Sequence, residues 1–164
     1  MNERSYLFNT EKIRYIRGEK PDVECILCSI RDRVEGVARL ELFRSQYNAV
    51  TVNLYPFNPG HLMIFPLRHC TSLAELADDE ALDLHRLTAA SIRILDAEFS
   101  PAGYNIGYNM GKGSGASIDH LHEHIVPRYT NEVGFIDVLA GGKVIVVDPV
   151  EVMERLKKAF AELK

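Results

Sequence analysis

Apolar and polar positions take two periods along this chain. Arg39-Leu40-Glu41-Leu42-Phe43 alternates, and Ala49-Val50-Thr51-Val52-Asn53-Leu54 is a short apolar, β-branched run. These predict strands over Val37 to Phe43 and Tyr47 to Leu54, with a hairpin turn at Ser45-Gln46. The Pro and Gly content of Tyr55 to Gly60 marks a turn, and His61 to Pro66 reads as a third strand. From Asp79 to Phe99 the period becomes helical. Leu84, Leu87, Ser91, Ile94 and Leu95, with Ala81 and Ala90, form one stripe, and Asp78-Asp79-Glu80 favour the N-terminus. His85 falls on that helix as a surface or dimer-face position rather than a ligand. Tyr104 to Met110 is a fourth strand, and Asp119 to Arg128 a fifth. Asp148-Pro149-Val150-Glu151 starts a terminal helix: Asp caps, Pro enters the first turn, Glu follows three on. Met153, Leu156, Phe160 and Leu163 give it an apolar line that docks on the body or on a partner subunit.

The class is therefore α+β: a five-stranded, mainly antiparallel sheet with one long helix and a C-terminal helix. Residues 1–24 form an N-terminal extension, in which Thr10 caps a short helix ended by Gly18 and Pro21. Residues 25–130 form the domain. Residues 131–164 add a loop-rich stretch, with a short strand near Gly141 to Ile145, and the terminal helix. A chain of 164 residues is long enough for a real core.

Composition narrows the partners. The 46% hydrophobic and 26% charged content is ordinary for a soluble globular protein. Net charge is −4 and the sequence pI about 5.9, which speaks against a nucleic-acid or anionic membrane surface as partner. A nucleotide pocket needs only local positive charge. No stretch is long and apolar enough to span a bilayer, and the polar start Met1-Asn2-Glu3-Arg4 is not a signal peptide, so a cytoplasmic location is expected.

The chemistry concentrates at Asp119-His120-Leu121-His122-Glu123-His124-Ile125-Val126-Pro127-Arg128. In a strand, His120, His122 and His124 fall in one row, with Leu121, Glu123 and Ile125 on the reverse. Such a row can bind a metal, or attack, orient and protonate around a phosphate. The preceding Asn109-Met110-Gly111-Lys112-Gly113-Ser114-Gly115-Ala116-Ser117 supplies glycines that turn backbone N–H groups toward an anion, one cation and two hydroxyls. Together they point to phosphoryl or nucleotidyl transfer at histidine. Cys25-Ile26-Leu27-Cys28 is a metal knuckle, a redox pair or two reduced buried thiols. A redox pair would usually open a helix in a βαβ setting, and nothing in the sequence reads that way. A closed zinc site needs two more ligands, and His69 and His120 are the candidates. Cys70 is a plain buried or half-buried thiol.

His120-Leu121-His122-Glu123-His124-Ile125-Val126 resembles the histidine-triad motif, in which three histidines alternate with apolar residues. Asn58-Pro59-Gly60-His61-Leu62-Met63-Ile64-Phe65-Pro66-Leu67-Arg68-His69 is similar to that superfamily's second signature, a Pro-Gly-His strand ending in Pro-x-x-His. The resemblance covers Cys25 to about Arg128. Arg14-Tyr15-Ile16 before the Cys pair, and the C-terminal tail, resemble the short diadenosine-polyphosphate phosphorylase branch. Glu123 departs from the pattern, which wants an apolar residue there. It points away from the histidine row, so its effect is expected on packing behind the sheet.

The resemblance implies a histidine-triad fold, dimers or higher homo-oligomers that extend the sheet, and a purine nucleotide substrate. His122 would be the nucleophile, leaving a nucleotidyl-histidine, and His124 would donate to a phosphate oxygen or leaving group. His120 would orient, or be tied up in zinc. Gly115 and Ser117 would stabilise charge on the phosphate, Asn109 would hold it, and Asn53 would bind the ribose or satisfy turn backbone. Zinc-containing members, and the related galactose-1-phosphate uridylyltransferases, use a set like Cys25, Cys28, His69 and His120. Leu54, Phe57 and Ile64 would wall the base without reading its edge, so base choice should be loose. Lys112 and Arg128 are the nearby cations for a leaving group. Two alternatives from other classes remain: a metal-only site, and a nucleotide-binding adaptor or sensor without significant turnover.

Overall fold

The computed structural model describes residues 21–130 and 147–163. The expected short helix near Thr10 and the loop and strand between residues 131 and 146 lie outside the described residues. Among the described residues the elements are α1 (Ile26–Arg31), β1 (Glu41–Arg44), β2 (Asn48–Val52), β3 (Leu62–Pro66), α2 (Asp78–Phe99), β4 (Gly103–Tyr108), β5 (Glu123–Arg128) and α3 (Pro149–Ala161). The strands form one sheet in the order β1-β2-β3-β5-β4, antiparallel at every step. The architecture is α+β, as the two periodicities predict.

Alternation along β2 and β3 sorts the side chains onto two faces. Val50, Val52, Leu62 and Ile64 pack with Leu84, Leu87 and Leu95 of α2 and with Val152, Leu156 and Phe160 of α3. Burying Leu156 or Phe160 completely is worth about 1.5–3 kcal/mol each. The terminal helix thus docks on the body, and Asp148 caps it by accepting the Val150 N–H at 2.8 Å. On the opposite face Ala49, Met63 and Phe65 pack with Leu27 and Ile30 of α1. The sheet therefore carries its core on one side and a thinner layer, closed by α1, on the other.

Two features correct the sequence reading. The Cys pair does open a helix: Cys25 is the N-cap of α1, its sulfur 3.5 Å from the Cys28 N–H. Six residues are too few to show a helical period. The triad strand is shorter than expected, because ladder pairing begins only at Glu123. His120 and His122 lie in the segment that leads into it.

Glu123 is buried on the α2 side, and two hydroxyls satisfy it. Tyr108 donates to its carboxylate at 2.7 Å, and Thr88 of α2 donates to the other oxygen. Burial, and then this bond, push the Tyr108 hydroxyl above its ordinary pKa. Ahead of β3, Gly60 takes φ +78°, and a Cβ there would meet Leu95 of α2 at 3.1 Å. Only glycine combines that backbone with that closeness.

Candidate active site

The loop from Tyr55 to Gly60 is anchored before β3 starts. Asn58 is 1% exposed, and its amide donates to the carbonyl of Pro127. Tyr129 donates to the Pro59 carbonyl at 3.0 Å. His61 follows, fully buried, its Nδ1 accepting the Phe57 N–H at 3.1 Å. One nitrogen of a neutral imidazole donates and the other accepts. The proton of His61 therefore sits on Nε2, which lies 3.0 Å from Nδ1 of His124. His124 in turn keeps its proton on Nε2. Phe57 lies against the His61 ring, centroids 5.3 Å apart and nearly parallel.

His122 is set by a different partner. Its Nδ1 donates to the carbonyl of His120 at 2.7 Å, which leaves the Nε2 lone pair unprotonated. Burial lowers its pKa below the ordinary 6.5, so the neutral ring prevails at physiological pH. The His122 and His124 rings stand edge to face, 4.7 Å between centroids. His122 thus keeps a lone pair beside the His124 ring, whose Nδ1 faces His61.

Both rings line a cavity of about 460 Å³, together with Asn53, Asn109, Gly115 and Ser117. The residues expected at the phosphate and ribose, Asn53, Asn109, Gly115, Ser117 and His124, thus share one space. Gly115 has φ +81° and closes the turn Lys112–Ser114, a conformation in which the chain can present its amides outward. Asn53 lines the cavity while its Oδ1 accepts the Tyr55 N–H at 2.9 Å, so the backbone-satisfying role and the cavity position coexist. The far end is apolar: Ile26, Leu27 and Ile30 of α1, Leu40 and Met63. Leu54 and Phe57 line it as expected. Ile64 does not; it points into the core beneath α2, and Met63 takes its place. A one-residue offset in a strand reverses the face.

His120 leaves the row. Its Nε2 donates to the Pro66 carbonyl at 2.9 Å, so Nδ1 presents a lone pair to the Cys pair, 3.3 Å from Cys25 Sγ and 3.6 Å from Cys28 Sγ. His69 Nδ1 lies 3.4 Å from Cys28 Sγ. The four donor atoms all fall within 4.8 Å of one another. Tetrahedral zinc on two sulfurs and two nitrogens requires donor-to-donor edges of roughly 3.3–3.8 Å, and the edges at 3.3, 3.4 and 3.6 Å match that requirement. Burial, and then the neighbouring Cys25, push the Cys28 thiol up to about 11, while burial brings His120 down to about 4. The His120–Pro66 bond is the kind of outer contact that orients a ligating imidazole.

His61 is the functional side chain that sequence reasoning missed. Its signal was present in Pro59-Gly60-His61, but that reading stopped at the strand. Lys112 and Arg128 stand exposed, and Arg128 donates to Asn105 at 3.0 Å.

A family model described as the HIT domain matches residues 38–131. The chain is 40% identical over 107 residues to a protein named AP-4-A phosphorylase from Mycobacterium tuberculosis, covering 65% of this chain and 55% of that protein. It is 35% identical over 94 residues to a bis(5'-adenosyl)-triphosphatase of Saccharomyces cerevisiae, covering 56% of this chain and 46% of that one. The chain therefore spans about half the length of these two curated relatives. Among solved structures, a Zn-bound histidine triad family protein from Mycobacterium smegmatis superposes with a TM-score of 0.67 at 22% identity, over 85% of this chain and 94% of that one. A HIT family protein from Bacillus subtilis gives 0.62 at 24% identity, over 87% and 99%. At these identities the structural likeness carries the fold alone.

Proposed function

Because the chain belongs to the HIT domain family, we propose that it is a nucleotidyl hydrolase or transferase acting at the α-phosphate of a dinucleoside polyphosphate or a nucleoside phosphoramidate. The observation that carries this reading is the opposite protonation of two adjacent rings. His122 presents a lone pair because His120 takes its Nδ1 proton, and His124 presents an N–H because His61 supplies its Nδ1 with one.

The steps follow from those atoms. Nε2 of His122 attacks the α-phosphorus, and the bond to the leaving atom breaks, an oxygen in a dinucleoside polyphosphate and a nitrogen in a phosphoramidate. His124 gives its Nε2 proton to that leaving atom. Gly115 and Ser117 hold the charge that gathers on the phosphorus oxygens, and Asn109 positions the same group. Asn53 lies beside the ribose. Water or inorganic phosphate then attacks the nucleotidyl-histidine, its proton passing to His124, and frees His122. The names of the two curated relatives, a phosphorylase and a triphosphatase, support this substrate class.

Zinc on Cys25, Cys28, His69 and His120 completes the reading. Bound there, it supplies a structural tie and no reacting group. It joins α1, which closes the apolar end of the cavity, to the segment that carries the nucleophile. A homodimer is proposed as well, with β4 at the open edge of the sheet and Ile106 exposed on it. Among the described residues no helix is long and apolar enough to cross a membrane.

The deciding experiment incubates the protein with diadenosine tetraphosphate, with and without inorganic phosphate. AMP plus ATP indicates hydrolysis. ADP plus ATP, formed only with phosphate, indicates phosphorolysis. No product from this substrate or from a fluorogenic adenosine phosphoramidate would leave a binding protein without turnover.

A further inference from the structure

One polar group stands at the apolar end of the cavity. Thr51, the fourth of the five residues of β2, is 1% exposed and lines that space. Alternation along the strand puts it on the same face as Ala49, away from the core that holds Val50 and Val52. Its neighbours there are Leu27, Ile30 and Met63, and Met63 is its direct partner across the ladder. Among the described residues its hydroxyl makes one hydrogen bond, donated to the carbonyl of Val52 at 3.2 Å. A hydroxyl has one proton and two lone pairs. With the proton directed at Val52, Thr51 offers lone pairs to whatever fills the apolar end.

Register places this group relative to the chemistry. Thr51 pairs with Met63, and Met63 pairs with His124. Thr51 is thus two inter-strand steps from the proton donor, roughly 10 Å. A nucleoside 5'-phosphate spans a comparable distance from its phosphorus to the far edge of its base. With phosphate at His122 and His124, and the base laid across Met63, the base edge would reach Thr51.

We infer that Thr51 is a specificity-determining residue that accepts a hydrogen bond from an exocyclic amino group of the base, favouring an aminated base such as adenine over one that lacks the amine. This rests on the nucleotide reading above and amends its apolar wall, which held no group able to read an edge. The selection is modest. The hydroxyl keeps its Val52 partner when the amine is missing, so an incorrect base forfeits one neutral hydrogen bond and strands no donor. That is roughly a three- to tenfold effect on affinity, far below the discrimination of a site that leaves buried groups unpaired.

The test compares AMP with purine riboside 5'-monophosphate, which differs by the amine alone. Calorimetric titration of the full chain would give both dissociation constants for wild type, Thr51→Val and Thr51→Ser. Wild type should prefer AMP roughly three- to tenfold. Thr51→Val keeps the shape and removes the hydroxyl, and should bring the two nucleotides to within about twofold. Thr51→Ser restores a hydroxyl and should restore most of the preference. The same preference in Thr51→Val as in wild type overturns the inference and leaves the nucleotide reading standing. Binding of neither nucleotide to wild type overturns both. Should Thr51→Val melt far below wild type, the serine variant decides: it is expected to keep the preference, and loss there refutes a role for the hydroxyl.

Discussion

The carbonyl oxygen of His120 lies 2.7 Å from Nδ1 of His122. A main-chain atom of one histidine thus sets which nitrogen of the next keeps its lone pair, the one that would attack in the proposed mechanism. Loss of the His122 ring removes the attacking atom and leaves the rest of the cavity in place. His122→Ala is expected to lower turnover by at least about a thousandfold while retaining AMP binding. Single-turnover rates alongside calorimetry check this. Activity above a few per cent of wild type would take His122 out of the nucleophile's role.

In the proposed mechanism His61 would act through His124, whose Nδ1 lies 3.0 Å from its Nε2. His61→Ala removes the N–H that fixes the His124 tautomer, and should lower kcat by roughly a hundredfold with little change in nucleotide affinity. A structural role alone would move affinity and melting temperature together. His61→Gln can place an amide N–H near the former Nε2, so partial recovery of kcat is expected with glutamine and none with alanine.

Purified protein is expected to carry zinc at close to one per chain. Cys25→Ser or Cys28→Ser should lose the metal and melt at lower temperature, because binding energy at such a site is folding energy. Elemental analysis and thermal melts with and without chelator provide the check. A zinc content of zero in protein never exposed to chelator would sink the assignment.

Glu123→Leu restores the apolar residue that the triad pattern prefers, yet should destabilise the protein. It strands the Tyr108 hydroxyl, at a cost of about 1–3 kcal/mol, while Thr88 keeps the Leu84 carbonyl as an acceptor at 2.9 Å. Adding Tyr108→Phe removes the stranded donor and should recover most of that loss. Denaturant unfolding of the single and double variants measures both. A single variant as stable as wild type would show that Glu123 is an incidental guest in the core.

Much of this was legible before any coordinates. The five strands and two longer helices follow from period and turn residues. The Cys25, Cys28, His69 and His120 set follows from ligand chemistry and the family resemblance, and its four donors do converge. What escaped has physical reasons. Ile64 and Met63 differ only in face, and face depends on a register that a continuous apolar run does not define. Three alternating histidines read as one row, but the chain bends through residues 117–120 ahead of β5, and His120 faces the Cys pair instead. Thr51 read as one more β-branched residue. Its meaning lies in what surrounds it, which only the folded chain assembles.

Gly60 has reach beyond its own turn. Leu95 sits 3.1 Å from where a Cβ on Gly60 would be, with Phe99 and Pro127 at 3.4 Å. His61 is the very next residue, so α2 is the jig against which the His61–His124 contact is cut. Genetic screens for loss of activity would accordingly return hits at Leu95, on the far side of the sheet from any phosphate. Such alleles would look allosteric, although they act by simple displacement of a neighbouring turn.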